Sequence, residues 1–325
     1  MKDAMRNHAL PAAALLLASC AAVRPPAGPR ALEGFPWTSP LHRDHPLIGR
    51  IWDARAGRFA SEAELREAVA RGRFVLLGET HDNADHHALQ ARLLEAALAA
   101  GRRPALGFEM LDAEQQRAVD TVLAGPEPSP AALSAAVGWE RSGWPAFALY
   151  APIFQLGLDA KLPVVAANLS RPAAREVIHR GAGAIPPALR ALLDRAGPLS
   201  PEEERARREE MAALHCGHLP DAFLGPMVLS QRARDAQLAA ALEAGATEDG
   251  AVLVTGAEHA REDRGAGAFL PLTGAAKDAV VSIAFREVHP DDRAPPAGPL
   301  PWDFVVFTPR ADRGDPCEGM KAPAR

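Results

Sequence analysis

The chain has 325 residues, of which 48% are hydrophobic and 24% charged, and its formal net charge at pH 7 is −5. This composition suits a globular protein of one large or two smaller domains, and it excludes a collagen, a coiled coil and a membrane protein with many spans. A nucleic-acid-binding protein would carry a basic stripe, and no such run occurs in the sequence. Three cysteines are too few for a disulfide-built scaffold, and their odd number leaves at least one outside any disulfide within the chain.

The first twenty residues have the pattern of an export signal. Lys2 and Arg6 precede an apolar stretch at residues 9–18, which is too short to span a bilayer but fits the apolar part of a secretory signal. Small residues stand directly before Cys20 and resemble a bacterial lipobox, in which the cysteine carries the lipid. The alternative is an ordinary signal peptide that is followed by a chance cysteine.

The lipobox interpretation predicts where the protein is located. Residues 1–19 would be a lipoprotein-type signal peptide, and residues 20–46, which are rich in Pro, Gly and Arg, would form a lipidated tether that begins at Cys20. Ala21 stands where enterobacterial lipoproteins that are retained at the inner membrane have Asp. We therefore expect anchoring in the bacterial cell envelope, at the outer membrane and facing the periplasm.

The rest of the chain alternates between short apolar runs, typical of strands, and longer amphipathic stretches, typical of helices. Strands are predicted at 74–78, 104–109, 163–167, 251–255, 280–286 and 304–308. Helices are predicted at 61–71, 84–100, 112–124, 150–161, 171–217 (with two interruptions) and 226–244. This alternation predicts a mainly parallel central sheet flanked by helices. We expect one α/β domain over residues 47–310, with a largely helical insertion around 112–225 forming a cap or lobe, and a C-terminal tail at 311–325.

Polar residues follow the predicted strands, and the motif Gly-x-x-His does so twice. It occurs at residues 78–81 and again at 256–259, while Glu109 ends the strand that lies between them in the sequence. Because the carboxyl ends of parallel strands meet at one edge of a sheet, we expect these side chains to lie together. The candidates are Glu79, His81, Glu109, Glu258 and His259. Such a set could bind a divalent metal or act as acid and base, or it could satisfy backbone groups of the loops.

A second group of candidate ligands follows the charged helix that ends near residue 214. His215 and His218 form a His-x-x-His pair that could coordinate a metal or haem iron, and Met211 lies one helical turn earlier. The alternative is a capped helix end without a ligand. Tyr150 is the only tyrosine; its phenolate would be a known type of haem ligand, although a single tyrosine is more commonly a packing residue.

The cysteine count is explained if Cys20 carries a lipid. The two that remain, Cys216 and Cys317, would both be exported to an oxidising compartment, where they could form a disulfide. Such a bridge would hold the C-terminal tail against the helical lobe. The alternative is a pair of free thiols.

Several segments, spread along residues 45–310, resemble the ChaN-like haem-binding lipoproteins. They are FVLLGETHDNADHH at 74–87, GFEM at 107–110, HCGHLP at 215–220, SQRARDAQLAAAL at 230–242 and GAEHAR at 256–261. The resemblance implies an α/β core with a helical lobe, non-covalent haem binding and a role in haem or iron uptake. It also implies a homodimer that encloses the haem, or a partner that receives it.

The two Gly-x-x-His motifs are also similar to those of the wider Tiki/TraB superfamily, which is related to erythromycin esterase-like hydrolases. By that resemblance Glu79, His81, Glu109 and His259 would hold a divalent metal or serve as acid and base. The metal would lower the pKa of a bound water for hydrolysis of a peptide or an ester.

Two hypotheses of different classes therefore stand side by side. In the first, the protein is a haem-binding lipoprotein in which His215, His218 or Tyr150 holds the iron. Arg232 or Arg234 would then meet the haem propionates. In the second, the protein is a metal-dependent hydrolase of the protease or esterase type. A third reading is a lipoprotein that binds only a protein partner; none of the three involves a nucleic acid.

Overall fold

The structure is a computed structural model that describes residues 31–315 and 317–318. The predicted signal peptide, the predicted lipidation of Cys20 and the first part of the predicted tether lie outside the described residues. In the part of the chain that is described, no helix is both long enough and apolar enough to cross a membrane.

Strands and helices alternate along the described residues. The strands are β1 (Ile51–Asp53), β2 (Arg58–Ala60), β3 (Phe74–Glu79), β4 (Ala105–Asp112), β5 (Val164–Asn168), β6 (Ala251–Gly256), β7 (Val280–Glu287) and β8 (Phe304–Thr308). The α-helices are α1 (Glu62–Arg71), α2 (Ala84–Ala99), α3 (Gln116–Leu123), α4 (Pro130–Val137), α5 (Ala151–Asp159), α6 (Arg171–Arg180), α7 (Pro187–Ala196), α8 (Pro201–Leu214), α9 (Asp221–Gly245) and α10 (Ala266–Thr273).

One sheet contains all of these strands in the order β2-β1-β8-β7-β3-β6-β4-β5. The six strands from β8 to β5 are mutually parallel, and β1 and β2 add an antiparallel edge. The prediction of a mainly parallel α/β sheet is therefore confirmed, and each of the six predicted strands is present. Strands β1 and β2 escaped prediction because three residues are too few to show a strand pattern.

Side chains on the central strand alternate between two hydrophobic layers. Val75 and Leu77 of β3 face the layer that α1, α2 and α5 cover, whereas Phe74 and Leu76 face the layer covered by α7, α9 and α10. This alternation follows from the twofold repeat of a strand. Both faces of the sheet are buried, which explains why the parallel strands are almost continuously apolar.

The predicted helical lobe around 112–225 is divided by a strand of the main sheet. Helices α3 to α5, before β5, pack in one hydrophobic layer through residues such as Val119 and Phe154. Helices α6 and α7, after β5, pack in the opposite layer through Val177 and Leu189. The helices of this region therefore cover both faces of the sheet, because β5 lies between them in the sequence and extends the sheet.

The structure also differs from the predicted tether over residues 31–46. Leu32 is buried in the core, and the segment that follows is tied to the start of α2. Asp85 accepts hydrogen bonds from the backbone N–H and hydroxyl of Thr38, both at 2.7 Å, and from the backbone N–H of Ser39 at 2.9 Å. These residues therefore belong to the folded domain.

The described part of the C-terminal tail is attached to the domain at two places. Arg313 pairs with Asp82 and Glu287, each at 2.6 Å, beyond the carboxyl ends of β3 and β7. Cys317 then forms the predicted disulfide with Cys216, with a Cα–Cα distance of 5.7 Å. The pairing is confirmed, and it ties the tail to the turn between α8 and α9.

Replacement of Asp85 by Ala should release residues 31–46 from the domain. Three hydrogen bonds to a charged carboxylate are lost, so we expect the free energy of unfolding to fall by about 2–3 kcal/mol. Hydrogen exchange at the amides of Thr38 and Ser39 should become faster. The control is Asp44→Ala, which removes an exposed carboxylate from the same segment. Equal stability and exchange in the two variants would contradict the proposed anchoring role.

Candidate functional site

The carboxyl ends of β3, β6 and β4 bring the two Gly-x-x-His motifs together, as the sequence predicts. A Cβ atom placed on Gly256 at the end of β6 would lie 3.2 Å from His81 Nε2 and 3.5 Å from Glu109 Oε2. His81 and Glu109 therefore lie close together over this glycine. We call the group of buried and partly buried charged side chains at this edge the strand-end cluster, and its members are Glu79, His81, His87, Glu109, Arg234, Asp235 and His259.

Glu79 is the centre of one half of the strand-end cluster, and its side chain is completely buried. Its Oε1 atom accepts a hydrogen bond from the Tyr150 hydroxyl at 2.8 Å and lies 2.9 Å from His81 Nδ1. Its Oε2 atom accepts from Gln90 Nε2 at 2.6 Å and lies 3.2 Å from His87 Nδ1. Both carboxylate oxygens are thus occupied by donors of the chain itself.

The histidines beside Glu79 keep its carboxylate charged. Burial acts to raise the pKa of Glu79, but the interactions with His87 and His81 outweigh it and lower the pKa to about 2. In turn, burial acts to lower the pKa of His81, but Glu79 and Glu109 raise it to about 9. The pKa of His87 is also raised, because the effect of Glu79 outweighs that of burial. This half of the cluster is a buried carboxylate flanked by two histidines, and each of these interactions favours the charged form of its partner.

Glu109 is the centre of the other half and is held from three sides. Its Oε1 atom pairs with Arg234 Nη2 at 2.8 Å, while Oε2 accepts from the Thr255 hydroxyl at 2.8 Å and from the Gly256 backbone N–H at 2.7 Å. Burial acts to raise the pKa of Glu109, but His259, His81 and Arg234 lower it well below its usual range. The lowered pKa favours the ionised carboxylate, which accepts from all three donors.

His259 joins this half of the cluster to helix α9. Its Nδ1 atom lies 2.5 Å from Asp235 Oδ1, and its Nε2 atom lies 3.4 Å from Glu109 Oε1 and 3.0 Å from Gln231 Nε2. Burial raises the pKa of the Asp235 carboxyl. Because Asp235 and Gln231 are both on α9, these contacts connect α9 to the end of β6.

The divalent-metal prediction is not supported. Among residues 31–315 and 317–318, no group of three or more His, Cys, Asp or Glu side chains could hold a metal ion. The oxygens of Glu79 and Glu109 already accept hydrogen bonds from the chain's own donors. Glu258, the remaining predicted ligand, pairs instead with Arg261 and Arg264 and is half-exposed. The strand-end site is a network of hydrogen bonds and ion pairs.

Tyr150, another predicted candidate for a haem ligand, has a partner within the chain. Tyr150 is fully buried in the core and donates its hydroxyl hydrogen to Glu79. Burial and the neighbouring Glu79 raise the pKa of the phenol far above its usual value, so that no phenolate forms. Tyr150 supports the strand-end cluster.

A cleft of about 380 Å³ opens beside the cluster, between α6, α8, α9 and the segment after β6. We call it the α8–α9 cleft. Its apolar wall includes Ile178, Met211, Leu214, Met227 and Val228. Its polar wall includes Arg207, His215, Gln231, Arg234, Asp235 and Arg264. Three of these polar residues, Gln231, Arg234 and Asp235, also contact the strand-end cluster, so the two sites share one wall.

His215 has the geometry of an available imidazole ligand. It follows the last turn of α8, where its Nδ1 atom lies 2.8 Å from the backbone carbonyl oxygen of Met211. Nδ1 therefore carries the hydrogen and donates it, which leaves Nε2 as the nitrogen with a free lone pair, and His215 lines the cleft. Metal-binding histidines commonly have their second nitrogen held in this way.

The remaining predicted cofactor-binding residues are separated by the fold. Arg234 lies on the wall of the α8–α9 cleft with His215, but His218 and Arg232 do not line it. Arg232 instead donates to the backbone carbonyl oxygen of Gly197 at 2.7 Å. The sequence reasoning missed Arg207, which lies on the cleft wall. The sequence feature that could have identified Arg207 is the four-residue spacing of Arg207, Met211 and His215, which places them on one face of a helix.

This is an α/β protein with a charged strand-end cluster and an adjoining cleft that has apolar and charged walls. A family model for haem-binding uptake proteins of the Tiki superfamily, ChaN, matches residues 65–270, more than half of the chain. The chain belongs to this family. No curated protein matches it.

A solved structure agrees with this assignment at the level of the fold. ChaN of Campylobacter jejuni, solved with cofacial haem binding, is 18% identical, with a TM-score of 0.63 over 79% of this chain and 95% of that chain. An erythromycin esterase matches with 14% identity and a TM-score of 0.35, over 78% of this chain and 80% of that one. A type III effector matches with 15% identity and a TM-score of 0.37, over 75% and 91%. The last two scores are too low to support an argument.

The ionised Glu79 should make stability depend on pH at its acidic end. Its pKa in the folded protein lies below the ordinary value of 4.5, so its stabilising effect is complete above pH 4.5 and is lost as the pH falls toward 2. We expect Glu79→Gln to lower the free energy of unfolding by about 3 kcal/mol at pH 6, and the difference from wild type to shrink between pH 4.5 and 3.

Urea unfolding at pH 6, 5, 4 and 3 measures this difference. The matched control is Glu67→Gln, which removes an exposed carboxylate from α1. A difference between wild type and Glu79→Gln that stays constant across these pH values would contradict the assigned state of Glu79.

Proposed function

We propose that the protein binds haem non-covalently in the α8–α9 cleft and serves haem or iron uptake as a cell-envelope lipoprotein. The observation that carries the proposal is the position of His215, which lines a cleft with apolar and charged walls and uses only Nδ1 for its hydrogen bond to the backbone of Met211. Membership of a haem-binding uptake family supports the choice of haem as ligand.

The residues of the cleft fit haem in their chemistry. Haem iron is commonly held by histidine, and methionine is a second ligand type; His215, Met211 and Met227 all line the cleft. Ile178 and Val228 add apolar surface against which a porphyrin face can pack. The volume of about 380 Å³ falls within the range of about 300–1,000 Å³ that is usual for small-molecule sites.

The strand-end cluster has a supporting role in this proposal. Glu109 and Asn168 hold the guanidinium of Arg234, and Asp235 is held by His259. Both Arg234 and Asp235 form part of the cleft wall, so the buried network fixes this wall before a ligand arrives. A site that is rigid before binding loses less conformational entropy on binding.

The alternative of a metal-dependent hydrolase is not favoured. Its mechanism would require Glu79 and Glu109 to offer oxygens to a metal or to a water molecule. In the structure these oxygens are occupied by Tyr150, Gln90, Arg234 and the backbone at distances of 2.6–2.8 Å.

Replacement of His215 by Ala should weaken haem binding at least tenfold, which corresponds to about 1.4 kcal/mol, because the proposed iron ligand is lost. The measurement is a titration of the purified protein with haemin, followed by the Soret absorption. We expect the Soret maximum of the His215→Ala complex to differ from that of wild type. His218→Ala is the matched control, since it removes the other histidine of the motif and should bind as wild type does.

Two results of this titration would count against the proposal. If wild type shows no saturable Soret change, the protein does not bind haemin. If His215→Ala and His218→Ala both bind as wild type does, the iron is held elsewhere.

We also propose that residues 1–19 direct export and that Cys20 is lipidated, which places the protein at the outer membrane and facing the periplasm. The sequence before Cys20 supports this. So does the disulfide between Cys216 and Cys317, because such bonds persist in oxidising compartments. Haem would then be passed to a transport partner, or be enclosed between two copies of the chain.

Replacement of Cys20 by Ser should move the protein out of the membrane fraction, because no acyl chains can then be attached. Labelling of growing cells with a fatty acid, followed by fractionation, measures both the lipidation of the protein and its location. Ser19→Ala keeps a small residue before the cysteine and should behave as wild type. Fatty-acid labelling of Cys20→Ser equal to that of wild type would refute the proposed anchor.

A further inference from the structure

One arginine on the wall of the α8–α9 cleft has no partner. Arg234 pairs with Glu109 at 2.8 Å, and Arg264 pairs with Glu210 at 2.6 Å. The guanidinium of Arg207, by contrast, makes no ion pair or hydrogen bond within residues 31–315 and 317–318, although it is partly buried. A partly buried cation without a counter-charge is unusual, because desolvation of the charge is not offset.

Burial is the largest influence on the pKa of Arg207, and charges of both signs act beside it. Burial, and then the charges of Arg232 and Arg264, lower the pKa of Arg207. Asp235 and Glu203 act in the opposite direction, but neither comes within ion-pairing distance. An anion at this end of the cleft would therefore offset both the burial of Arg207 and the repulsion from its neighbours.

Helix geometry places Arg207 in line with the proposed iron ligand. Arg207, Met211 and His215 are spaced four residues apart, so they share one face of α8 and its end, and all three line the cleft. Arg207 and His215 are eight residues apart, which is about 12 Å along the helix axis. A flat ligand that is bound through a metal at His215 can thus extend its edge toward Arg207.

We infer that Arg207 is the carboxylate receptor of the α8–α9 cleft, and that the protein selects metal tetrapyrroles with free carboxylates over those whose carboxylates are esterified. The guanidinium can bind a carboxylate through two parallel hydrogen bonds, and no internal ion pair has to break first. The inference rests on the proposed haem-binding function. It assigns the acidic edge of the ligand to a residue other than Arg232 and Arg234, whose donors are engaged within the chain.

The test compares haemin with haemin dimethyl ester as probes. Wild type should bind haemin about tenfold or more tightly than the ester. Arg207→Gln should lose about tenfold or more in affinity for haemin and keep wild-type affinity for the ester. Arg207→Lys, which retains the charge without the forked donors, should lie between them. Arg205→Gln is the matched control, because it removes an exposed arginine from α8 outside the cleft and should change neither affinity.

Each outcome has a distinct meaning. Failure of wild type to bind haemin would overturn the proposed function itself. If wild type binds haemin and its ester equally, or Arg207→Gln binds haemin as wild type does, haem binding stands and the assignment of Arg207 falls. An equal loss for both probes in Arg207→Gln would also overturn it, since the effect would then be on the cleft and not on carboxylate recognition. Thermal unfolding of each variant without ligand identifies a loss of folding, and Arg207→Lys then provides the comparison.

Discussion

The ion pair between Glu109 and Arg234 is the contact on which the arrangement of the site depends. It joins β4, the neighbour of edge strand β5, to α9, which forms a wall of the cleft. Glu109 is fully buried, and its other oxygen is held by Thr255 and Gly256 at the end of β6. Loss of either partner would leave a buried charge without compensation, a change that typically costs about 3–5 kcal/mol. The pair therefore constrains both the sheet edge and the cleft.

The buried charges of the strand-end cluster are stable only because positive and negative groups lie next to one another. Glu79 and Glu109 would each be costly to bury alone, and the histidines beside them would be costly as well. Each carboxylate is opposed by cationic groups, and these interactions lower the pKa of both acids against the effect of burial. The remaining acid, Asp235, is hydrogen-bonded to His259. The attraction between these opposite charges offsets the cost of burying them.

Much of the fold and part of the site could be predicted from the sequence. Buried parallel strands are continuous apolar runs, and polar residues at their carboxyl ends meet at one edge, so Glu79, His81, Glu109 and His259 were placed together correctly. The role of Tyr150 could not be predicted, because nothing local shows that its hydroxyl faces a carboxylate 71 residues away in the sequence. In general, a contact between residues that are far apart in the sequence cannot be predicted from the local pattern around either of them.

The cleft residues show this limit most clearly. Arg232 and Arg234 are two positions apart on α9, and periodicity alone does not tell which of them faces the cleft. In the structure, Arg232 donates a hydrogen bond to the backbone carbonyl oxygen of Gly197, whereas Arg234 lies on the cleft wall. Arg207 is one of several charged residues in α8, and its lack of a partner becomes visible only when the surrounding carboxylates have positions.

The strand-end cluster and the α8–α9 cleft differ in how many of their polar groups lack a hydrogen-bond partner. In the strand-end cluster, the oxygens of Glu79 and Glu109 are occupied by internal donors, and a ligand would have to displace them. In the cleft, the basic nitrogen of His215 and the guanidinium of Arg207 have no partner among the described residues. A binding site is expected where groups are held in position but not satisfied, since a ligand then gains contacts without breaking others. This argument supports the proposal that the cleft is the binding site and that the histidines and carboxylates of the strand-end cluster support its wall.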